Sequence, residues 1–259
     1  MNVRLNKLGI LGVFAVMTAL PRPADAANNS IANAWIGVYG QVRAQTLDAA
    51  GSGTDVGYYR FAVQANRSYA AICWFIGVDG GGTNTTIVRW RTAADADLGS
   101  AGDIEPFDPS FIGDIAVTQP TSAGSLYVRI NNPNASVVTA NLMVMETTLF
   151  SPWFFVSTAP YEAYVEIRNN TASSISVTLR AYNSGGTIIG STTIALPGNG
   201  NTALGMSTLG IVDTGGSVSL THNGPPGALV ANITTLGTAT GVSFDAPFAP
   251  RMIWSTFQQ

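Results

Sequence analysis

The chain has 259 residues, a length typical of two domains, and only 10% of its residues are charged. Its formal net charge is −3 and its sequence pI is about 5.0, a balance that disfavours binding to nucleic acid or anionic lipid, because both need a basic patch. A single cysteine, Cys73, and a single histidine, His222, exclude an internal disulfide and disfavour a zinc site of the usual kind.

The first 26 residues have the order of a secretory signal peptide. Arg4 and Lys7 precede an uncharged apolar run at 8–20, and Ala24-Asp25-Ala26 supplies the small residues of a cleavage site. The apolar run is shorter than the ~20 residues that span a bilayer, so a retained membrane anchor is disfavoured. We therefore expect a mature chain that begins at Ala27 and resides outside the cell, on its surface or in the periplasm, without a membrane span.

Residues 27–147 are predicted to form a first β-sandwich. Alternating aromatic and β-branched residues at 54–64, and further apolar runs at 68–79, 125–132 and 136–147, read as strands that pair through short turns. Cys73 lies inside one of these runs and is predicted to be a small buried hydrophobe. The glycine-rich turn 79–84 joins two strands, so it offers no helix N-terminus for a phosphate.

An acidic stretch follows the strand pattern of this domain. Asp95 and Asp97 precede Asp103, Glu105 and Asp108. Carboxylates can bind calcium, but the spacing of an EF-hand loop is absent, and a solvated acidic loop is the favoured alternative. No metal site and no cofactor are predicted.

Residues 148–259 are predicted to form a second, immunoglobulin-like sandwich, because about seven alternating strands fall between Ala163 and Phe244. Residues 128–142 and 165–179 are similar at an offset of 37, and we interpret this as two Asn turns with the same chemistry. The predicted fold is therefore all-β, with two tandem antiparallel sandwiches of jelly-roll or immunoglobulin-like type after a cleaved signal peptide.

Aromatic residues near the domain boundary are the candidate binding residues. Four consecutive aromatic or apolar side chains cannot all enter one core from a strand. We expect them either to wedge the two sandwiches together, or to face outward and contact sugars or a neighbouring subunit. The candidates are Trp153, Phe154, Phe155, Tyr161 and Tyr164.

His222 ends a strand in which it shares one face with Val218 and Leu220. A stiff Asn-Gly-Pro-Pro-Gly turn follows it, and no acidic residue lies within eight positions on either side. A catalytic histidine needs a nucleophile or an orienting acid within reach. The pattern therefore predicts a structural histidine at the rim of the core, hydrogen-bonded to a loop carbonyl, and no catalytic residue.

Two stretches carry family resemblances. YYRFAVQANRSYAAICW (58–74) followed by GSLYVRINNPNASVVTANLMVME (124–146) resembles the bacterial pre-peptidase C-terminal type of domain across residues 54–146, although TTIVRWRTAADAD (85–97) departs from its pattern. That resemblance implies a β-sandwich that accompanies secreted enzymes without catalysing a reaction. The second half, from TTLFSPWFF (147–155) to GPPGALVANITTLGTATGVSFDAPFAPR (224–251), is similar to immunoglobulin-like repeats of uncharacterised secreted bacterial proteins, which implies no activity.

These observations predict a secreted, non-catalytic protein. The leading hypothesis is a structural or adhesive subunit that binds copies of itself in an extracellular assembly or at the cell surface. The alternatives are a carbohydrate-binding module that presents exposed aromatics to a polysaccharide, or an accessory domain protein of a secreted enzyme system.

Overall fold

The computed structural model describes residues 28–76, 87–98, 113–133 and 135–251. Within these ranges regular structure consists of β-strands and two short 3-10 turns, Ile31–Asn33 and Met206–Leu209, so the predicted all-β class is confirmed. No helix in them is long and apolar enough to cross a membrane. The predicted signal peptide (1–26), the turn 79–84 and the acids Asp103, Glu105 and Asp108 lie outside the described residues.

The first sandwich consists of two four-stranded sheets, with strand orders β1-β3-β7-β5 and β2-β8-β4-β6. Its strands are β1 (Trp35–Ile36), β2 (Arg43–Leu47), β3 (Val56–Val63), β4 (Tyr69–Ile76), β5 (Ile87–Arg91), β6 (Gly113–Thr118), β7 (Gly124–Asn131) and β8 (Val138–Glu146). Alternate residues of both sheets meet in one core that contains Tyr59, Trp90 and Leu142. Cys73 is buried in this core, as predicted.

The second sandwich packs the sheet β12-β11-β14-β9-β17 against the sheet β13-β10-β15-β16. Its strands are β9 (Leu149–Val156), β10 (Tyr161–Asn169), β11 (Ile175–Asn183), β12 (Ile188–Leu196), β13 (Asn201–Gly205), β14 (Thr214–His222), β15 (Leu229–Gly237), β16 (Ser243–Pro247) and β17 (Ala249–Pro250). Seven of these, β10 to β16, span the region where about seven were predicted. Ile167, Leu179, Leu220 and Ile233 are among the fully buried side chains of its core.

Several short turns join opposite sheets instead of neighbouring strands, which corrects the predicted pairing. The runs around 54–64 and 68–79 were expected to pair, yet β3 and β4 belong to different sheets, and so do β7 and β8. Alternating polar and apolar residues place one face of a strand in the core whichever sheet the strand belongs to. The alternation therefore does not determine which strand is its hydrogen-bonded neighbour. The connection 183–186 does join paired neighbours, β11 and β12, as predicted.

The internal similarity at offset 37 corresponds to one repeated turn. Asn132 and Asn169 are both fully buried, and each side-chain amide donates to a carbonyl four residues ahead, at Ser136 and Ser173, at 2.8 Å in both cases. Each also bonds the carbonyl of a distant segment, Asp48 for the former and Leu196 for the latter. The shared Asn chemistry that the sequence predicted is therefore present in both sandwiches.

Asn169→Ala should lower the free energy of unfolding by about 2 kcal/mol, because it removes a fully buried amide that donates to the carbonyls of Ser173, Leu196 and Pro197. Urea unfolding would measure the change. Asn170→Ala is the matched control, since that side chain is exposed and should change stability by less than about 0.5 kcal/mol. Equal effects at the two positions would contradict the assigned role.

Candidate functional site

The predicted aromatic residues begin at a β-bulge in β9. Gly216 of β14 pairs with Phe154 and Val218 pairs with Ser151, so Pro152 and Trp153 together oppose one residue of β14. Proline lacks the N–H that a regular ladder needs, which suits it to such a position. Gly216 is required there because a Cβ would lie 1.8 Å from the Tyr182 carbonyl oxygen. The bulge leaves Pro152 and Trp153 both exposed and returns Phe154 to the core.

Three exposed rings and one half-buried ring form an aromatic strip along one side of the second sandwich: Trp153, Phe155 and Phe244, with the half-buried Tyr161. Trp153 packs edge-to-face on Phe244, with ring centroids 6.1 Å apart and an interplanar angle of 81°. Phe155 packs on Tyr161 at 5.9 Å and 63°. The exposed fractions are 43% for Trp153, 37% for Phe155 and 50% for Phe244. The strip is therefore apolar and solvent-accessible, but it is not a flat row of parallel rings.

Two of the predicted binding residues do not belong to this strip. Phe154 is fully buried in the core of the second sandwich, so its prediction as a binding residue is wrong. Tyr164 lies on the outward face of β10, opposite Thr234 and Gly205. Phe244 was not identified as a candidate from the sequence, because it lies 91 positions after Trp153. The two rings meet only because β16 pairs with β15 in the folded protein.

The junction of the two sandwiches is polar, so the predicted aromatic wedge is also wrong. It centres on the connection between β8 and β9. Thr147 donates its backbone N–H to the Ser68 carbonyl at 2.8 Å and its hydroxyl to the Ser68 hydroxyl at 2.9 Å. The Ser68 N–H donates to the Thr148 hydroxyl at 2.9 Å. From the far side, Thr221 donates to the Gln119 side chain at 3.3 Å.

Arg67 adds a charged contact to this junction. One of its guanidinium nitrogens lies 2.8 Å from a Glu146 carboxylate oxygen, and the Glu146 side chain is only 2% exposed. The guanidinium also stacks over the Phe150 ring at 4.4 Å from its centroid. Arg67 belongs to the first sandwich and Phe150 to the second, so this side chain bridges them.

His222 fixes the same connection from the second sandwich. Its Nε2 lies 3.1 Å from the Thr147 carbonyl oxygen, and the side chain is nearly fully buried. The prediction of a buried histidine bound to a loop carbonyl is thus confirmed. Neither ring nitrogen has a hydrogen bond to a hydroxyl or a carboxylate among the described residues, so the imidazole has no partner there for acid–base chemistry.

Burial lowers the pKa of His222 from 6.5 to about 4, and hydrogen bonds to the Thr147 and Gly224 backbone only partly oppose that shift. The buried Nδ1 of His222 has no hydrogen bond that meets geometric criteria in the described part of the chain. The neutral imidazole is therefore the form that the folded junction accepts.

The acidic pair Asp95 and Asp97 faces a guanidinium. Arg91 Nε lies 2.9 Å from an Asp95 oxygen, and another Arg91 nitrogen lies 3.3 Å from Asp97. Hydrogen bonds from Arg91 and Tyr58 lower the pKa of Asp95 against an opposing desolvation. No cluster of three or more metal-ligating side chains occurs in the described ranges. The other acids of this stretch, Asp103, Glu105 and Asp108, lie outside the described residues.

Comparisons with known proteins give no family. No family model matches the chain and no curated protein matches it, so both resemblances stay predictions. Solved structures include a Bacteroides uniformis β-glucuronidase, at 9% identity and a TM-score of 0.19 over 76% of this chain. A glycosyl hydrolase family 2 member from Bacteroides cellulosilyticus has 11% identity and a TM-score of 0.21 over 75% of this chain. The chain spans 26% and 28% of those proteins, and TM-scores this low carry no argument about function.

Arg67→Ala should lower the free energy of unfolding by about 3 kcal/mol, because it leaves the Glu146 carboxylate buried and unpaired. Adding Glu146→Gln should restore part of that loss, since no buried charge remains. Arg168→Ala is the control, because this arginine is exposed on the outer face of β10. Chemical unfolding of the four proteins would measure these changes, and equal losses for Arg67→Ala and Arg168→Ala would refute the bridge.

Acid should destabilise the protein through His222. The unfolded chain binds a proton below about pH 6.5 and the folded chain only below about 4, so the free energy of unfolding falls as pH decreases through this window, by about 3 kcal/mol in total. His222→Gln keeps a donor for Thr147 and cannot titrate. Unfolding measured across this pH range should show a shallower decrease for the variant; parallel curves would exclude His222 as the source.

Proposed function

We propose that this chain is a secreted, non-catalytic β-sandwich protein that assembles with copies of itself outside the cell. The observation that carries the proposal is the aromatic strip, because exposed contiguous apolar surface on a folded domain marks a docking site more often than an inert surface. Tryptophan, tyrosine and phenylalanine are also the residues enriched where protein interfaces are buried.

The edge-to-face geometry of the strip supports a protein partner over a polysaccharide. A sugar ring stacks on the flat face of an aromatic side chain. Trp153 and Phe244 are nearly perpendicular, and Phe155 and Tyr161 are steeply inclined. Such a cluster has ridges and hollows that suit side chains of another protein, so it favours assembly over polysaccharide stacking.

The opposite side of the same sandwich ends in β12, an edge strand without charge. β12 pairs with β11, and no other described strand covers its second edge. Its nine residues contain neither proline nor a charged side chain, and the 32 residues between Arg180 and Asp213 are all uncharged. Natural proteins usually protect a long edge with charges or proline, because unpaired backbone groups recruit other chains.

The two surfaces lie on opposite sides, and this determines the geometry of assembly. In the sheet β12-β11-β14-β9-β17, β12 is one edge strand and β9 lies near the opposite edge. Strand β16 of the second sheet contacts β9, so the strip lies at this opposite edge. Contact between the strip of one copy and the β12 edge of the next is heterologous, and repeated heterologous contacts extend into a filament unless the rotation closes a ring.

The experiment uses residues 27–259 and two blocking variants. Thr193→Lys places a charge on the β12 edge, where Thr193 is exposed, and Trp153→Ser interrupts the strip. Sedimentation and electron microscopy should show oligomers for the unmodified protein and monomers for each variant. A mixture of the two variants should form one-to-one dimers and nothing larger, since each retains one intact surface.

Tyr164→Ser is the control, because it removes an exposed aromatic outside the strip and should leave assembly intact. Melting curves establish that the variants are folded. A monomeric unmodified protein at all accessible concentrations, or a variant mixture that stays monomeric, would contradict the proposal.

A further inference from the structure

The outward face of the sheet β1-β3-β7-β5 collects four arginines, although the whole chain is acidic. In the register of β3, β7 and β5, Arg129 lies between Tyr58 and Arg89, and Tyr127 lies between Arg60 and Arg91. The alternate residues of these strands, such as Tyr59, Val128 and Trp90, are buried in the core, so the arginines occupy the other face. We call Arg60, Arg89, Arg91, Arg129 and Tyr127 the arginine face.

One of these arginines is neutralised within the protein. Arg91 holds Asp95 and Asp97, and the Tyr58 hydroxyl donates to Asp95 at 3.1 Å. The turn that carries the two acids folds back on β5, because the Leu98 N–H donates to the Trp90 carbonyl. Among the described residues, these four arginines and two aspartates leave two positive charges on this face.

Two of the other three arginines lie in positions that destabilise the folded sheet. Arg89 and Arg129 stand directly opposite each other on neighbouring strands, and like charges at such a pair destabilise a sheet. Arg129 donates to Asn131 through one terminal nitrogen, but its Nε is buried without a hydrogen-bond partner. For Arg60 and Arg89, no hydrogen bond or ion pair to another described residue is present. An anion between Arg89 and Arg129 would relieve this repulsion and would give Arg89 a charged partner.

We propose that the arginine face binds an acidic polysaccharide through its carboxylate groups. A guanidinium presents two parallel N–H groups that match a carboxylate. Neighbouring strands are ~4.8 Å apart and residues rise ~3.3 Å along a strand, so Arg60 and Arg89, two strands and two residues apart, are separated by roughly 12 Å. Cations distributed in this way suit a linear ligand with separated charges, and the half-buried Tyr127 between Arg60 and Arg91 offers a ring beside the chain of sugars.

The charge of the protein favours this occupant over nucleic acid. A duplex or single strand carries a phosphate at every nucleotide and needs several cations to release its counterions. Here two net positive charges stand on a chain with a net charge of −3, so a densely charged polymer is repelled by the rest of the surface. A sparsely charged glycan can bind the arginine face with less electrostatic repulsion from the rest of the surface.

The test uses hyaluronan, which carries one carboxylate per disaccharide, as the probe and its methyl ester as the neutral match, in affinity electrophoresis of residues 27–259. Hyaluronan should retard the protein, the ester should not, and added salt should weaken retardation. Arg89→Gln and Arg129→Gln should each weaken binding by about tenfold or more, as for loss of a charge-assisted hydrogen bond. Arg168→Gln, on the second sandwich, should leave it unchanged.

Arg60→Gln provides a variant that is safe for folding, because Arg60 is exposed, and it should also weaken binding. Melting curves separate lost binding from lost structure. The proposal is overturned if the ester binds as well as the acid, if Arg168→Gln acts like Arg89→Gln, or if hyaluronan does not retard the protein. Tighter binding of single-stranded DNA that depends on the same arginines would assign the face to nucleic acid and would also overturn it.

Discussion

The connection between the two sandwiches is buried, and the rest of the structure depends on satisfying its polar groups. Thr147 and Thr148 lose water on folding, and an unpaired buried backbone group destabilises by about 1–3 kcal/mol. Ser68 from the first sandwich and His222 from the second supply the partners. The only histidine of the chain is therefore needed as a neutral donor at one carbonyl, which explains its burial without any catalytic role.

A fixed junction gives each surface a defined position. Arg67 joins Glu146 of the first sandwich to Phe150 of the second, so the two units share contacts on both sides of the connection. The aromatic strip and the open β12 edge then lie on opposite sides of the second sandwich, and the arginine face lies on the first. Because these surfaces share no residue, the proposed assembly and the proposed glycan binding can be tested with separate variants.

Local patterns in the sequence predicted much of this architecture, and long-range register accounts for what they missed. Alternation identified the strands, the buried Cys73 and the structural His222, since each depends on its own neighbours along the chain. Pairing across sheets did not follow from alternation. The contact of Trp153 with Phe244 and the row of Arg89 and Arg129 arise only when distant strands align, and net charge concealed a local excess of arginine. Pro152 lacks a backbone N–H and so indicates an irregular position in the strand. It does not indicate that Trp153 would be exposed and Phe154 buried.

Scanning calorimetry of the folded chain tests the central claim, that polar contacts make the two sandwiches one unit. The account predicts a single transition near neutral pH, in which the calorimetric enthalpy equals the van't Hoff enthalpy, because neither sandwich can lose the junction without exposing unpaired groups in the other. Two separate transitions, each with its own enthalpy and unaffected by Arg67→Ala, would contradict it.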